Sequence, residues 1–368
     1  MSRRPVVLIA GGGTGGHLMP ALAIASRLRE CHPDIEPMLV GAGRGVEARV
    51  LPGRDFRFTL LPSEPVYRRA WWRNARWPMV AWRLRRALRH LFLAERPVAV
   101  LGTGGYASGP VVWWAARAGI PTAIQEQNAY PGLATRLLAS RVNHIYLGVP
   151  EAKDRLKLSA GSMVFDTGNP IRPPDPARRD AARQKFGFDA QAPVLLVTGG
   201  SQGSRAINRA VAAWLEQRTP EAAKWQILWV TGRGTHAEFA RWHQVPAVRV
   251  VDFLDPMADA YAVSDLVISR AGMMTVAELC AWGLPAVLIP LPTAAADHQT
   301  HNARVMDTAG AALMLAQSDM ERDGLGPTVE SLMADLAGRT RMGGLAQARG
   351  RPDAAGDIVS LFMTLFAP

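Results

Sequence analysis

Cysteine is nearly absent. Cys31 and Cys280 are the only two in 368 residues, far apart, with no CxxC spacing and no metal-ligand cluster near either. A disulfide scaffold, a zinc site and a dithiol redox motif are thereby excluded, and both thiols read as small buried hydrophobes in a reduced protein. Also missing is any stretch of about 20 uninterrupted apolar residues, so no transmembrane helix is expected. The longest candidate, residues 283–296, is broken by Pro285, Pro290 and Pro292. The apolar run at residues 5–10 is too short for a signal peptide and runs straight into glycines. No DxD triplet occurs, so a metal-bridged diphosphate site of that type has no candidate and no metal ligand is expected. Acidic residues are outnumbered, 31 against 42 basic, for a net charge of +11. That excess suits nucleic acid, anionic lipid or phosphorylated ligands until its distribution is known.

What is present is a long alternation. Short β-branched runs at residues 6–10, 38–40, 98–101, 122–125 and 144–147 read as buried parallel strands. Runs at 194–198, 226–231, 248–251, 266–269 and 286–289 do the same in the second half. Amphipathic segments such as 21–29, 204–217 and 272–282 lie between them. The alternation predicts doubly wound α/β architecture with helices on both sheet faces. The pattern starts twice, at residues 6–10 running into GGGTGGH (11–17) and at 194–198 running into GGSQGS (199–204). Between the two starts, Pro170, Pro173, Pro174 and Pro176 forbid continuous helix or a central strand. Two Rossmann-like domains follow, residues 1–167 and 181–349, joined by a linker at 168–180. A last helix within 350–368 is a candidate to return to the first domain. The cleft between two such domains is the default active site.

A glycine turn after a buried strand lets the backbone approach a phosphate, and the following helix N-terminus offers free N–H groups and positive potential. GGSQGS does this, with Ser201, Gln202 and Ser204 adding side-chain hydrogen bonds. A third glycine loop, GTGGYASG (102–109), follows the run at 98–101. Taken singly, each is equally a tight turn against a packed helix. A nicotinamide site fails on detail: it needs an acidic residue ending the second strand, about 20 residues after the loop. Here that strand ends in GAGRGVE, with Glu47 well beyond. The second half offers a better ribose ligand. A helix starting near Gly272 carries Glu278 about two turns in, flanked by the apolar Val276, Ala277 and Leu279, where its carboxylate could accept both ribose hydroxyls of a nucleotide. Charge on a diphosphate would be met by loop amides, helix dipoles and arginines.

With those residues in view, the chain resembles the MurG family of bacterial peptidoglycan glycosyltransferases. The matching segments are 11–17, 102–109, Glu126-Gln127-Asn128, Gly168-Asn169-Pro170-Ile171-Arg172, 199–204, 269–278, and Asp297-His298-Gln299-Thr300 with Asn302-Ala303. They occur in family order over nearly the whole chain. The resemblance implies a GT-B fold and transfer of N-acetylglucosamine from UDP to a lipid-linked MurNAc-pentapeptide (lipid I), without cofactor. It implies Glu278 as the ribose carboxylate, Leu254 as the residue whose backbone reads uracil, and Ser201 and Gln202 on the diphosphate. Arg172 and Arg270 become donor-side cations, and Gln299, beside His298, a contact to the sugar hydroxyls. Thr14, His17, Tyr106 and Asn128 fall on the acceptor side, with Thr14, Gly15, Gly16 and Asn128 also close to the transferred sugar. The family usually has an aromatic residue where this chain has Met19 and a small one at Met273, which bears on local packing rather than on reaction class. The implied chemistry is inverting single displacement by the C4 hydroxyl of MurNAc. A sugar hydroxyl is a weak nucleophile, and His17, closing the first glycine loop, is the candidate base; its alternative is orienting a backbone group or a sugar hydroxyl.

The membrane question can be argued from the residues. Nine arginines and two glutamates lie between Glu64 and Arg96, with Trp71, Trp72, Trp77 and Trp82 among them. On a helical wheel Val80, Leu84, Ala87, Leu88 and Leu91 form one face; Arg83, Arg86, Arg89 and His90 lie opposite, with Trp82. A solvated basic face explains the arginines but not the tryptophans of YRRAWWRNARW (67–77). Trp71, Trp72, Arg73, Arg76, Trp77 and Trp82 therefore suit an interface with anionic lipid, which fits peripheral attachment at the cytoplasmic face of the inner membrane. Nucleic-acid binding competes for the same charges, but they concentrate in one loop-helix region and no nucleic-acid motif is present. Two other readings stay open: a GT-B transferase acting on a diacylglycerol or secondary metabolite, and a non-enzymatic nucleotide-sugar sensor. Cell-wall synthesis and division proteins are further partners that the resemblance implies.

Overall fold

The structure is a computed structural model and describes residues 4–64, 71–200, 202–217, 225–245 and 247–366. The chain divides into two compact units: residues 1–172 together with 353–368, and residues 173–352.

Unit 1 is built on seven strands: β1 (Val6–Ala10), β2 (Glu36–Ala42), β3 (Arg57–Leu61), β4 (Ala99–Gly102), β5 (Thr122–Glu126), β6 (His144–Leu147) and β7 (Met163–Asp166). They lie in the order β3-β2-β1-β4-β5-β6-β7, all parallel, with Ile9 level with Leu39 on one side and Leu101 on the other. The pleat sends alternate residues to opposite faces. Leu8, Ala10, Val100 and Ile124 pack with Leu88 and Val111, whereas Val7, Ile9 and Leu101 pack with Leu18, Ile24, Ile358 and Phe362. Both faces are thus covered, which is why the central strands read as unbroken apolar runs. Ile358, Val359 and Phe362 come from the helix Ala354–Met363, which lies against the helix Gly15–Cys31.

Unit 2 repeats the plan with β8 (Val194–Thr198), β9 (Gln226–Val230), β10 (Val248–Val251), β11 (Leu266–Ser269), β12 (Ala286–Leu288) and β13 (Leu313–Met314). The order is β10-β9-β8-β11-β12-β13 and every pair is parallel. Residues 178–185 are fastened to this unit. Asp259 accepts from Lys185 Nζ at 2.7 Å and Arg178 Nη2 at 2.6 Å, and these partners hold its carboxyl below the ordinary range.

Three strands lie outside the runs read from sequence: β3, β7 and β13. All three are edge or edge-adjacent strands with half-exposed side chains, so they lack the unbroken apolar signal. One expectation is corrected. Cys280 is buried, its thiol pushed up to about 12 by desolvation, but Cys31 is exposed. It is the last residue of the helix Gly15–Cys31 and lies past the apolar stripe that ends at Leu28.

In each sheet the strand order reverses direction once, between β1 and β4 in unit 1 and between β8 and β11 in unit 2. Connections leave the two central strands to opposite sides there, opening a crevice at their carboxyl ends, the usual ligand position in doubly wound sheets.

Candidate active site

In unit 1 the loops after β1, β4 and β5 meet at this crevice. The glycine loop after β1 is interlocked with its neighbour: Gly12 N–H donates to the Gly104 carbonyl at 3.3 Å, and Thr103 Oγ1 donates to the His17 carbonyl at 2.8 Å. A Cβ on Gly105 would fall 1.7 Å from the Gly12 carbonyl oxygen, so only glycine allows this approach. Gly13, at φ +96°, donates its N–H to Oε1 of Glu47. Glu47 is 0% exposed and a Cβ on Gly12 would collide with its carboxylate. In the sequence Glu47 lies too far beyond the second strand to be the acidic residue of a nicotinamide site; the structure gives it the work of bracing the first glycine loop.

His17 stands in the first turn of the helix Gly15–Cys31, whose N-cap is the exposed Thr14; Gly15 and Gly16 begin the same turn. The ring is half-buried and lies under the third glycine loop, where a Cβ on Gly104 would sit 2.7 Å from Nδ1. Nδ1 is 3.1 Å from the Thr103 carbonyl oxygen and 3.0 Å from Oε1 of Gln127. Tyr106, beside the same loop, donates its hydroxyl to the Arg44 carbonyl at 2.7 Å. Asn128 donates from its main chain (3.0 Å) and Nδ2 (3.2 Å) to Oε1 of Glu126. The other oxygen of Glu126 accepts from Gly132 N–H at 2.9 Å and Thr135 Oγ1 at 2.6 Å. Glu126 is therefore a buried organiser of the loop that presents Asn128.

In unit 2 the loop after β8 turns at Gly200 and Gly203, both at positive φ. Ser204 then caps the helix Arg205–Gln217 by accepting from Ile207 N–H at 3.4 Å. Gln202 is exposed on this loop; Ser201 lies outside the described residues. After β11, the helix Met273–Trp282 carries the half-buried Glu278, whose Oε2 accepts from the Tyr261 hydroxyl at 2.7 Å. Burial first, and the facing carboxylate second, push the Tyr261 phenol well above its ordinary range, so it stays a donor. Leu254 is half-buried in the loop following β10, beside Phe253, over which Arg233 stacks at 4.4 Å.

Arg270 and Gln299 do work that the sequence does not show. The Arg270 guanidinium is buried and donates to the Ile289 carbonyl (3.2 Å), the Pro290 carbonyl (3.0 Å) and Gln317 Oε1 (2.8 Å). Gln299 accepts from Leu291 N–H at 3.0 Å. The two therefore fasten the loop after β12 from both sides. His298 Nδ1 lies 2.6 Å from the Ala295 carbonyl. Arg172 is exposed at the end of the first segment of unit 1. Met19 is 47% exposed and Met273 is buried, so neither departure from the family pattern displaces a polar side chain named above. Among the described residues no group of three or more His, Cys, Asp or Glu is placed to hold a metal ion.

The glycosyltransferase family 28 N-terminal domain matches residues 7–147, and the C-terminal domain of the same family matches residues 194–356. The chain belongs to glycosyltransferase family 28, in its MurG branch. The UDP-N-acetylglucosamine--N-acetylmuramyl-(pentapeptide) pyrophosphoryl-undecaprenol N-acetylglucosamine transferase of Salinibacter ruber is 40% identical over 364 residues, covering 96% of this chain and 95% of that one. The protein of the same description from Carboxydothermus hydrogenoformans is 37% identical over 370 residues, with 98% of each chain covered. The crystal structure of Acinetobacter baumannii MurG superposes with a TM-score of 0.77 at 27% identity, covering 98% of this chain and all of that one. The fold is accordingly GT-B, with one parallel sheet in each unit.

A second surface of unit 1 separates from this crevice by chemistry. The helix Trp77–Glu95 turns Val80, Leu88 and Leu91 into the core. Arg83, Arg86, Arg89 and His90 are exposed, and Trp72 and Trp82 are 63% and 61% exposed. Arg76 and Trp77 are also exposed at its start. A groove of about 570 Å³ runs along this side, lined by Trp82, Arg83, Arg86 and His90 together with Thr59 and Leu61. The side chains of Trp71 and Arg73 lie outside the described residues. No helix among the described residues is long and apolar enough to cross a membrane.

Proposed function

We propose that this chain transfers N-acetylglucosamine from UDP-GlcNAc to the C4 hydroxyl of MurNAc in undecaprenyl-pyrophosphoryl-MurNAc-pentapeptide, with inversion, giving lipid II. The observation that carries the reading is its end-to-end likeness to transferases of that description. The chemistry supports it. Glu278, held by Tyr261, takes the donor ribose, and the amides of the loop after β8 with the N-terminus of Arg205–Gln217 receive the diphosphate. Gln202, Arg172 and Leu254 complete the donor side; Arg270 and Gln299 shape the loop that meets the sugar. In unit 1, Thr14, Tyr106 and Asn128 line the acceptor side and His17 takes the proton of the attacking hydroxyl. As that O–H bond breaks, oxygen bonds to the anomeric carbon and the electrons of the C1–O bond leave with UDP. Charge on the leaving group is met by fixed dipoles, a form of stabilisation needing no metal.

UDP release measured with and without a lipid I analogue, in chelator, tests this. Acceptor-dependent release with a β-linked disaccharide product is the expected result. Tight donor binding without release would move the acceptor to another class or make the chain a nucleotide-sugar sensor.

The basic, tryptophan-bearing face of Trp77–Glu95 is the membrane side of this reading, since indoles settle at headgroup depth and each arginine adds about 1 kcal/mol near anionic lipid. An Arg83→Ala/Arg86→Ala double variant should bind phosphatidylglycerol vesicles roughly 30-fold more weakly, while turnover of a short-chain soluble acceptor stays as it was. Unchanged co-sedimentation with those vesicles would remove this face from the membrane contact.

A further inference from the structure

The His17 ring nitrogen that faces the protein looks onto oxygen alone. Nδ1 meets the Thr103 main-chain carbonyl and the Gln127 side-chain amide. Which end of that amide faces the ring is fixed by its other neighbours. The opposite end lies 2.8 Å from the Thr103 carbonyl and 3.3 Å from the Gln125 carbonyl; two main-chain acceptors demand the amino end there, so the oxygen is turned to His17. The same amino group also donates to Oε1 of Gln125. Gln125 Nε2 then donates to Asn169 Oδ1 at 2.9 Å, and Asn169 Nδ2 closes the ring onto the Gln127 carbonyl at 3.1 Å. Gln125, Gln127 and Asn169 are all 3% exposed or less, so no water competes for these bonds and no amide can turn without orphaning a buried group.

We propose that Gln127, locked by Gln125 and Asn169, is a positioning residue that, with the Thr103 carbonyl, holds neutral His17 as its Nδ1–H tautomer. Nε2 then carries the lone pair. The inference deepens the assignment of His17 as base and rests on it for its catalytic consequence. When Nε2 takes the hydroxyl proton, the ring becomes a cation whose Nδ1–H still points at two oxygens, and hydrogen bonds to a charged donor are the stronger kind. Gln127 thereby keeps Nδ1 paired throughout the transfer and leaves Nε2 as the ring atom that receives the proton.

The tautomer can be read without a variant. In the ¹⁵N-labelled full chain, long-range proton–nitrogen correlations of His17, assigned by their loss in His17→Gln, should show a protonated Nδ1 and an unprotonated Nε2. A ring protonated at Nε2, or a mixture of the two forms, overturns the proposal. Gln127→Met keeps the shape and removes the oxygen. Its kcat should fall about tenfold, the order expected for one charge-assisted bond, with the KM for UDP-GlcNAc little changed. Wild-type kcat in a folded Gln127→Met protein would also overturn it. Failure of the base assignment looks different: His17→Ala would keep its turnover whatever tautomer the spectrum shows.

Discussion

Turnover of His17→Ala should fall by about 10²–10⁴-fold, the usual worth of a positioned general base. Affinity for UDP-GlcNAc should stay near wild type, because the donor's ribose and diphosphate contacts are assigned to residues other than His17. The prediction is large because the acceptor nucleophile is an alcohol, whose proton must go somewhere as the new bond forms. Structure also predicts what the variant should not do. His17 is half-buried and its ring supplies only one end of the hydrogen bonds at Nδ1. Gln127 Nε2 and the Thr103 carbonyl remain paired with each other after the ring is gone, and only Gln127 Oε1 loses its contact with the ring, so the loss of stability should not exceed about 1–3 kcal/mol, the cost of one unsatisfied buried acceptor. Single-turnover rates beside calorimetric donor titration would separate the two effects. A variant that keeps near-normal turnover would leave His17 as an orienting group and no more.

Glu278→Ala is expected to weaken UDP-GlcNAc binding by about 100-fold, the loss of two hydrogen bonds to a carboxylate. Here the structure predicts a complication. Tyr261 is buried and gives its hydroxyl to Glu278, so the alanine variant also strands a buried donor, at a cost of about 1–3 kcal/mol of folding stability. Tyr261→Phe separates the two consequences. It removes the stranded hydroxyl while leaving the carboxylate, and its donor affinity should fall far less than that of Glu278→Ala. The readout is calorimetric titration with UDP-GlcNAc, with thermal melts in parallel. Donor binding by Glu278→Ala as tight as wild type would take the ribose role away from this residue.

Much of the fold was legible because a doubly wound sheet writes itself plainly. Val6–Ala10 and Val194–Thr198 are buried on both faces, so they show as unbroken apolar runs followed by glycine turns. β3, with the sequence RFTLL, and β7, with MVFD, are half-exposed at or near an edge, and such strands carry no distinctive pattern. The candidate site divided in the same way. His17 and Glu278 could be singled out from their place after a glycine turn and within an apolar helix. Glu47, Gln125 and Asn169 could not be given their work, because each acts on a partner elsewhere in the chain; Gln125 and Asn169 are 44 positions apart. One signal was available. Gln125 and Glu126 are polar residues inside a strand that is buried along its whole length, and a polar side chain in such a place must be satisfied by something.

The helix Ala354–Met363 completes the core of unit 1, although all of unit 2 is encoded before it. On the ribosome, the half of the chain made first must wait until the whole of unit 2 has followed it. Until then the faces of Gly15–Cys31 that receive Ile358, Val359 and Phe362 stand open to water, a sticky surface of the kind that chaperones recognise. A message cut short after residue 352 would yield a finished second half and a first half lacking one wall. Such products should be cleared rather than linger.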